Sequence, residues 1–448
     1  MTDSQQLCLS VTDKNALKAA KQLKKIIEQL FDKDVVISRT AIGDFHLICA
    51  AAAARIDKGV NITVTASTAE LLSAATYAVL REFLGSLPAG TTSVVYQQEQ
   101  RILMIDMARK YFSKDLLLKF IDSMSLAQFN YLQLHFSENE GFRIASDVAP
   151  EIVSPKHLTK EEMREVILYA EQAGIEIIPD FDSPGHLKQI LQTHPEWQLQ
   201  KRTAEGTLAR DPAALNICDP KAVNFILEIY REYADLFARS TYFHIGGDEF
   251  VDFDQIEAYP ELRAYAKEHY GEQAEGIDTF VAYVNQVSAK LNESGFVPRI
   301  SNDGFFRVNR SEQVQLSSEV EITYWTKWNQ NMAPVDIFIE KGYTVLNFND
   351  NYFYYVLGEN ASYTYPTYEK IISDWTPDMY PQQQIMPADP EKLPGVAVAI
   401  WSDIPEAQTA EEVWQNVSLL LFAVLQKLTG QNFAEKPAIE HLLQTYFN

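Results

Sequence analysis

Residues 102–136 read ILMIDMARKYFSKDLLLKFIDSMSLAQFNYLQLHF. The stretch opens on a short, mostly apolar run, ILMID (102–106), and closes on another, YLQLHF (131–136). Such runs are expected of strands buried on both faces. Between them Ser113 is a candidate N-cap for a helix over 114–128. Strand, helix and strand in that order make a parallel crossover unit.

The pattern repeats. Further candidate strands are IEIIPDF (175–181), TYFHIGG (241–247), VPRIS (297–301), EITYW (321–325), YTVLNF (343–348) and VAVAIW (396–401). Helical segments fall between them. Thr159 is placed to cap 160–173, Asp278 to open a run to 292, and others cover 220–238, 334–341 and 411–429. Eight alternating units over about 330 residues predict a (β/α)8 TIM barrel, with a doubly wound open sheet as the alternative. Residues 1–97 read as a separate small α+β domain without a chemical motif, which leaves 98–448 for the barrel. In the small domain LCLSV, VNITVTAST and TSVVYQ are strands, 16–30 is a helix, and Thr68 is the candidate cap of a second helix ending at Phe83.

Composition narrows the class. The 448 residues are 46% hydrophobic and 22% charged, as in ordinary globular proteins. Lys and Arg number 38 against 61 Asp and Glu, a net charge of −23, which argues against binding nucleic acid or an anionic membrane. Cys8, Cys49 and Cys218 are too few and too scattered for a disulfide framework, and fit a reducing compartment. No basic-then-apolar leader opens the chain and no run approaches a membrane span, so a cytoplasmic protein is expected. The 22 Tyr and 24 Phe suit a packed core, or a site that stacks on sugar faces.

The rare residues cluster at strand ends. The second strand ends in His135 and Glu138, the third in Asp180, Asp182 and then His186. The fourth ends in His244-Ile-Gly-Gly-Asp248-Glu249, the fifth in Asn302-Asp303, and the sixth in Trp325. The seventh runs to Asn349 and Tyr352, the eighth to Trp401-Ser402-Asp403. In a barrel all of these lie on the C-terminal rim, where the active sites of that fold are built. Two glycines before two adjacent carboxylates allow a sharp turn that sends both into one pocket in different surroundings. Adjacent carboxylates do not suit the opposed pair of ordinary retaining glycosidases. One orienting the substrate and one serving as acid and base suits them better.

HIGGDE (244–249), with RILMIDMARKYF (101–112) and DSPGH (182–186) upstream and NDG, EITYW and AIWSD downstream, resembles the β-N-acetylhexosaminidases of glycoside hydrolase family 20. The resemblance covers about 101–430. It implies exo-hydrolysis of a terminal β-linked N-acetylglucosamine or N-acetylgalactosamine, from an oligosaccharide or glycoconjugate, with no metal and no organic cofactor. The mechanism it implies is substrate-assisted: the 2-acetamido oxygen attacks C1 and an oxazolinium forms. Glu249 would be general acid and then base, with a raised pKa. Asp248 would accept the acetamido N–H, and Tyr352 would donate to the acetamido oxygen. His186 would hydrogen-bond the acid, with Glu138 behind it where the family usually has aspartate. Arg109, Asp303 and Asp403 would bind the sugar, and Trp325 and Trp401 would wall the acetamido pocket.

Three departures bear on specificity. Ser301 stands where the family usually has tryptophan, leaving a wall missing or supplied by Trp328. Asp403 stands where it usually has the glutamate that grips the 4- and 6-hydroxyls. Residues 326–331 lack an acidic partner for the 6-position and bring Lys327 near it. These suggest a shifted preference, including a 6-phosphate or 6-sulfate. Two further alternatives are a metal-dependent barrel hydrolase using His135, His186, His244 and Asp248, and a non-catalytic carbohydrate-binding protein. The histidines also read as hydrogen-bond partners, and the first strand lacks the paired His-x-His of such metal barrels.

Overall fold

The computed structural model describes residues 6–40 and 43–447. The first five residues of the stretch read for a leader therefore lie outside the described residues. Eight parallel strands form a ring, Gln100–Asp106, Tyr131–His135, Glu176–Asp180, Tyr242–His244, Val297–Ser301, Glu321–Tyr324, Val345–Asn347 and Gly395–Trp401. Each pairs with the next, and Gly395 to Ile400 pair with Gln100 to Ile105 to close it. Every strand matches one of the eight runs seen in the sequence.

Local sequence sets the helices between the strands. Ser113 Oγ accepts the Leu116 N–H at the start of Lys114–Leu126. Thr159 and Glu162 form a capping box at Lys160–Gln172, and Thr409 and Glu412 another at Ala410–Thr429. Asp278 lies inside its helix rather than at its mouth. The helix runs Gly276–Glu293, Glu275 caps it, and Asp278 is the residue that reaches back to the Glu275 N–H. Asp278 also accepts from the Gln313 and Val314 N–H groups, which ties this helix to the loop after the fifth strand.

The seventh position of the ring is split. Val345–Asn347 meets the eighth strand only through Asn347 and Val396. Asn349 then caps one turn of helix, Asp350–Phe353. The chain returns to the sheet as Tyr354–Val356, in register with Ala399, Ile400 and Trp401. The upper half of this wall is thus a second short strand displaced along the sequence. A continuous strand to Tyr352, as the apolar run suggests, does not form.

The N-terminal unit is richer than its sequence suggests. It is a six-stranded mixed sheet, in the order Asp34–Ser38, Gln6–Val11, Phe45–Cys49, Ile62–Ala66, Arg55–Lys58 and Gly90–Ser93, with helices Lys14–Phe31 and Leu71–Phe83. Three of its strands, at 34–38, 45–49 and 55–58, escape a reading that seeks longer alternating runs. Thr68 caps no helix: the N-cap is Glu70, and the Thr68 hydroxyl is 2.9 Å from Cys49 Sγ. TSVVYQ pairs only as far as Ser93, because its antiparallel partner ends at Arg55. Beyond it the chain turns onto the barrel, where the Gln97 N–H donates to the Leu428 carbonyl. Among the described residues no helix is long and apolar enough to cross a membrane.

Candidate active site

The pocket of interest opens at the C-terminal rim of the barrel and holds about 440 Å³. One chain of buried charge frames it. Asp106, at the end of the first strand, accepts from the Ala108 and Arg109 N–H groups and from the Ser402 N–H, joining the first and eighth strands. Its other interaction is with the Arg109 guanidinium at 2.9 Å. Arg109 also pairs with Glu138, and Glu138 Oε1 lies 2.7 Å from His186 Nδ1. Burial alone would keep Glu138 neutral, but His186 and Arg109 outweigh it and hold the carboxyl down at about 2. The same partnership, with Asp182, keeps His186 protonated against the cost of its burial, raised well above the ordinary imidazole range.

His186 Nε2 faces the two adjacent carboxylates, 3.5 Å from Glu249 Oε2 and 3.8 Å from Asp248 Oδ2. The turn that places them needs its glycines. Gly246 and Gly247 have φ of +77° and +80°, and a Cβ on Gly246 would sit 2.0 Å from Asp182 Oδ1. Glu249 and His186 themselves are left-handed, at φ +47° and +54°. Non-glycine residues held there store strain, a mark of functional sites. The two carboxylates end up in different surroundings. The Asp248 side chain is 17% exposed, and Ser301 Oγ donates to its Oδ1 at 3.2 Å. The Glu249 side chain is 50% exposed at the rim. His186 holds Glu249 below its ordinary range in the open site. The raised value expected of a general acid is therefore absent here. Covering this half-exposed carboxyl with a sugar supplies the desolvation that raises it.

Beside Asp248 stands an aromatic box. The Trp325 ring stacks parallel to Tyr354 at 5.9 Å, and Tyr354 meets Trp401 at 5.8 Å and a tilt of 54°. Tyr354 is buried, and burial raises its phenol well above the ordinary range, so it stays a neutral donor. The rim opposite carries Asp403, which accepts from Asn360 Nδ2 and lies 3.9 Å from Arg109 Nη1. Trp328, half-exposed, sets its ring edge-on to Trp325 at the mouth.

Of the ten residues the sequence singles out, the structure brings Glu249, Asp248, His186, Arg109, Trp325, Trp401, Asp403 and Glu138 to this one pocket. Two lie elsewhere. Tyr352 falls on the single helical turn that interrupts the seventh wall and points away, under the Lys370 ammonium and beside Gln382 and Gln383. Tyr354, two residues on, lines the pocket instead. Asp303 is behind the wall rather than on it. It accepts from the Glu249 N–H and from Trp325 Nε1, so it positions both and is not among the residues that line the pocket. Lys327 is not among the lining residues either. Sequence reasoning passes over Asp106 as a site residue, although it stands inside the IDMARKYF motif. It also leaves out Asp182, which accepts the Gly247 N–H. The proposed metal set does not converge: His135 and His244 both turn to Asp180. Asp182, His186 and Asp248 do bring one donor atom each to within 4.8 Å of one another.

This geometry accompanies a clear set of relatives. Residues 99–420 match the catalytic-domain model of glycosyl hydrolase family 20. The chain belongs to glycosyl hydrolase family 20. It is 26% identical over 343 residues to a lacto-N-biosidase of Bifidobacterium bifidum, covering 76% of this chain but 29% of that protein, so it spans under a third of that relative's length. A family 20 exo-β-N-acetylglucosaminidase of Vibrio harveyi shares the fold over 99% of this chain and 74% of its own (TM-score 0.77, 18% identity). Dispersin B aligns over 74% of this chain and 99% of its own (TM-score 0.58, 26% identity).

Burial, with the charge on Asp248, pushes Asp303 up to about 7. The folded protein therefore holds this proton better than the unfolded chain, and stability falls as pH rises from about 4 to about 7 through this group. Asp303→Asn removes that fall. Melting temperatures of wild type and variant across this range should diverge, the wild type losing relatively more toward neutral pH. Parallel profiles would contradict the assignment.

Proposed function

We propose that this chain is an exo-acting, retaining β-N-acetylhexosaminidase that removes a terminal β-linked N-acetylglucosamine or N-acetylgalactosamine from oligosaccharides or glycoconjugates. The observation that carries the reading is the unequal placement of two adjacent carboxylates across one protonated histidine, Asp248 inside against the aromatic box and Glu249 at the rim. A carboxylate inside the box suits an acetamido N–H. A carboxyl at the rim suits the oxygen of the bond to the leaving group.

The steps follow. The sugar packs its acetamido group between Trp325, Tyr354 and Trp401. Asp248 accepts the acetamido N–H and Tyr354 donates to its carbonyl oxygen, which turns that oxygen toward C1. The oxygen attacks C1 as Glu249 gives its proton to the departing glycosidic oxygen. Asp248 stabilises the positive charge that develops on the oxazolinium ring. Water then attacks C1, Glu249 takes its proton, and the ring opens with the original configuration retained. Arg109 and Asp403 bind the hydroxyls on the far side of the sugar.

The pocket's charge speaks against a 6-phosphate or 6-sulfate. Its walls include Glu138, Asp180, Asp248, Glu249 and Asp403, while its cations Arg109, His135 and His186 are already paired with carboxylates. A second reading concerns the length of the released unit. The relative named a lacto-N-biosidase supports release of a disaccharide, and aspartate rather than glutamate at 403 leaves extra room where a second sugar would attach. A cytoplasmic setting belongs to the same proposal and is supported by the three free cysteines.

Hydrolysis of p-nitrophenyl N-acetyl-β-D-glucosaminide, blocked by a thiazoline that mimics the oxazolinium, is the direct test. Turnover of the corresponding lacto-N-bioside alone would favour the disaccharide reading, and neither turnover nor thiazoline binding would sink both. Glu249→Gln should lower kcat by about 10²–10⁴-fold while leaving thiazoline binding intact. A binding protein would show no such loss. Tyr354→Phe should lower kcat by roughly 10²-fold, as misplacing a reacting atom does. Tyr352→Phe should leave kcat unchanged, and equal losses in the two variants would contradict the reassignment.

A further inference from the structure

The pocket does not end at the carboxylates. It continues into the barrel interior, where Met104, Gln133, His135, His244, Ser301 and Thr323 line it. Ser301, the last residue of the fifth strand, stands in register with Thr323 on the sixth, and its small side chain lines the pocket beside Asp248 where a bulkier one would take up its space. This deeper part sets polar groups against apolar Met104, Phe348 and Val356. Gln133 donates to Asp180 through its amide nitrogen, but its Oε1 has no partner. His135 Nδ1 pairs with Asp180 at 3.2 Å, and its Nε2 lacks a hydrogen-bond partner. The imidazole is held charged by Asp180 against the cost of burial, pushed up to about 10, so Nε2 carries a hydrogen to donate. Gln133 and His135 are each at least 98% buried.

An acetamido group ends in a methyl, which offers nothing to an amide oxygen or an imidazolium. Buried donors and acceptors left unpartnered are costly, and a ligand that satisfies them is favoured over one that does not. A hydroxyl on that methyl brings one donor and two acceptor lone pairs.

We infer that the space opened by Ser301 makes this chain accept 2-acylamido sugars larger than the acetamide, with the N-glycolyl group as the preferred extension. Ser301 then sets acyl-group specificity, and Gln133 and His135 read the added hydroxyl. The inference rests on the hydrolase reading above, in which the 2-acyl group enters this box.

The test compares kcat/KM for three p-nitrophenyl β-D-glucosaminides that differ only in the N-acyl group: acetyl, glycolyl and propionyl. The N-glycolyl substrate should fall within about tenfold of the N-acetyl one and exceed the N-propionyl one, since a close-fitting pocket rejects one added group by about 10–200-fold. Ser301→Trp should cut the glycolyl-to-acetyl ratio by about tenfold or more. Gln133→Met, close in volume, should bring glycolyl down to or below propionyl, which keeps the test in hand if the tryptophan variant does not fold. Glycolyl and propionyl substrates both more than about 100-fold slower than acetyl would overturn the inference and leave the hydrolase reading standing. No turnover of any of the three would overturn the monosaccharide-releasing hydrolase reading on which the inference rests.

Discussion

The site depends on the buried chain of charge that runs from Asp106 through Arg109 and Glu138 to His186. Each member is costly to bury alone, and each is made tolerable by the next. Asp106 ties the chain to the backbone at Ala108, Arg109 and Ser402, so the guanidinium is fixed by two strands at once. Glu138, ionised by its partners, fixes the orientation and charge of His186. His186 is then a cation held against two carboxylates it does not own. The barrel supplies the rest: a parallel ring whose loops all leave at one rim, so that residues distant in sequence converge without long excursions.

The division between Asp248 and Glu249 follows from how the fourth strand ends. Two left-handed glycines, one of them pressed on Asp182, turn the chain sharply enough to send successive side chains into one pocket at different depths. Asp303 anchors the Glu249 backbone and the Trp325 indole together, so the rim carboxyl and the aromatic wall share one support. The split seventh wall adds the remaining piece. Because the chain makes one helical turn and then rejoins the sheet beside Ala399, Tyr354 is carried on a strand, and its hydroxyl is positioned by the barrel rather than by a free loop.

Much of this is legible in the sequence. The eight strands announce themselves as short apolar runs, because strands covered on both faces need no alternation. Ser113 and Thr159 mark helix starts through the backbone bonds their side chains make. Asp248, Glu249 and His186 stand out because so many polar residues at strand ends are hard to explain as caps or turns, whereas Arg109 is picked out only by its place in the IDMARKYF motif. Tyr352 misleads for a physical reason: the turn capped by Asn349 is invisible to a pattern search that extends the apolar run through it, and a shift of two residues swaps one tyrosine for another. Asp303 misleads differently. Its rank among rim residues is visible, but whether it faces the pocket or the back of the wall depends on a twist that spacing does not record. The small strands of the N-terminal sheet are four or five residues long and carry too little pattern to be seen alone.

The central claim is that the carboxylate pair serves the substrate's own acetamido group as nucleophile. The most direct measurement is kcat/KM for a series of N-acetylglucosaminides whose acetyl methyl carries zero, one, two and three fluorines. Fluorine withdraws electrons from the carbonyl oxygen with little change in size. If that oxygen attacks C1, the rate should fall steeply and steadily along the series. A flat profile would show that the acetamido group takes no part, and would contradict the roles given to Asp248 and Tyr354.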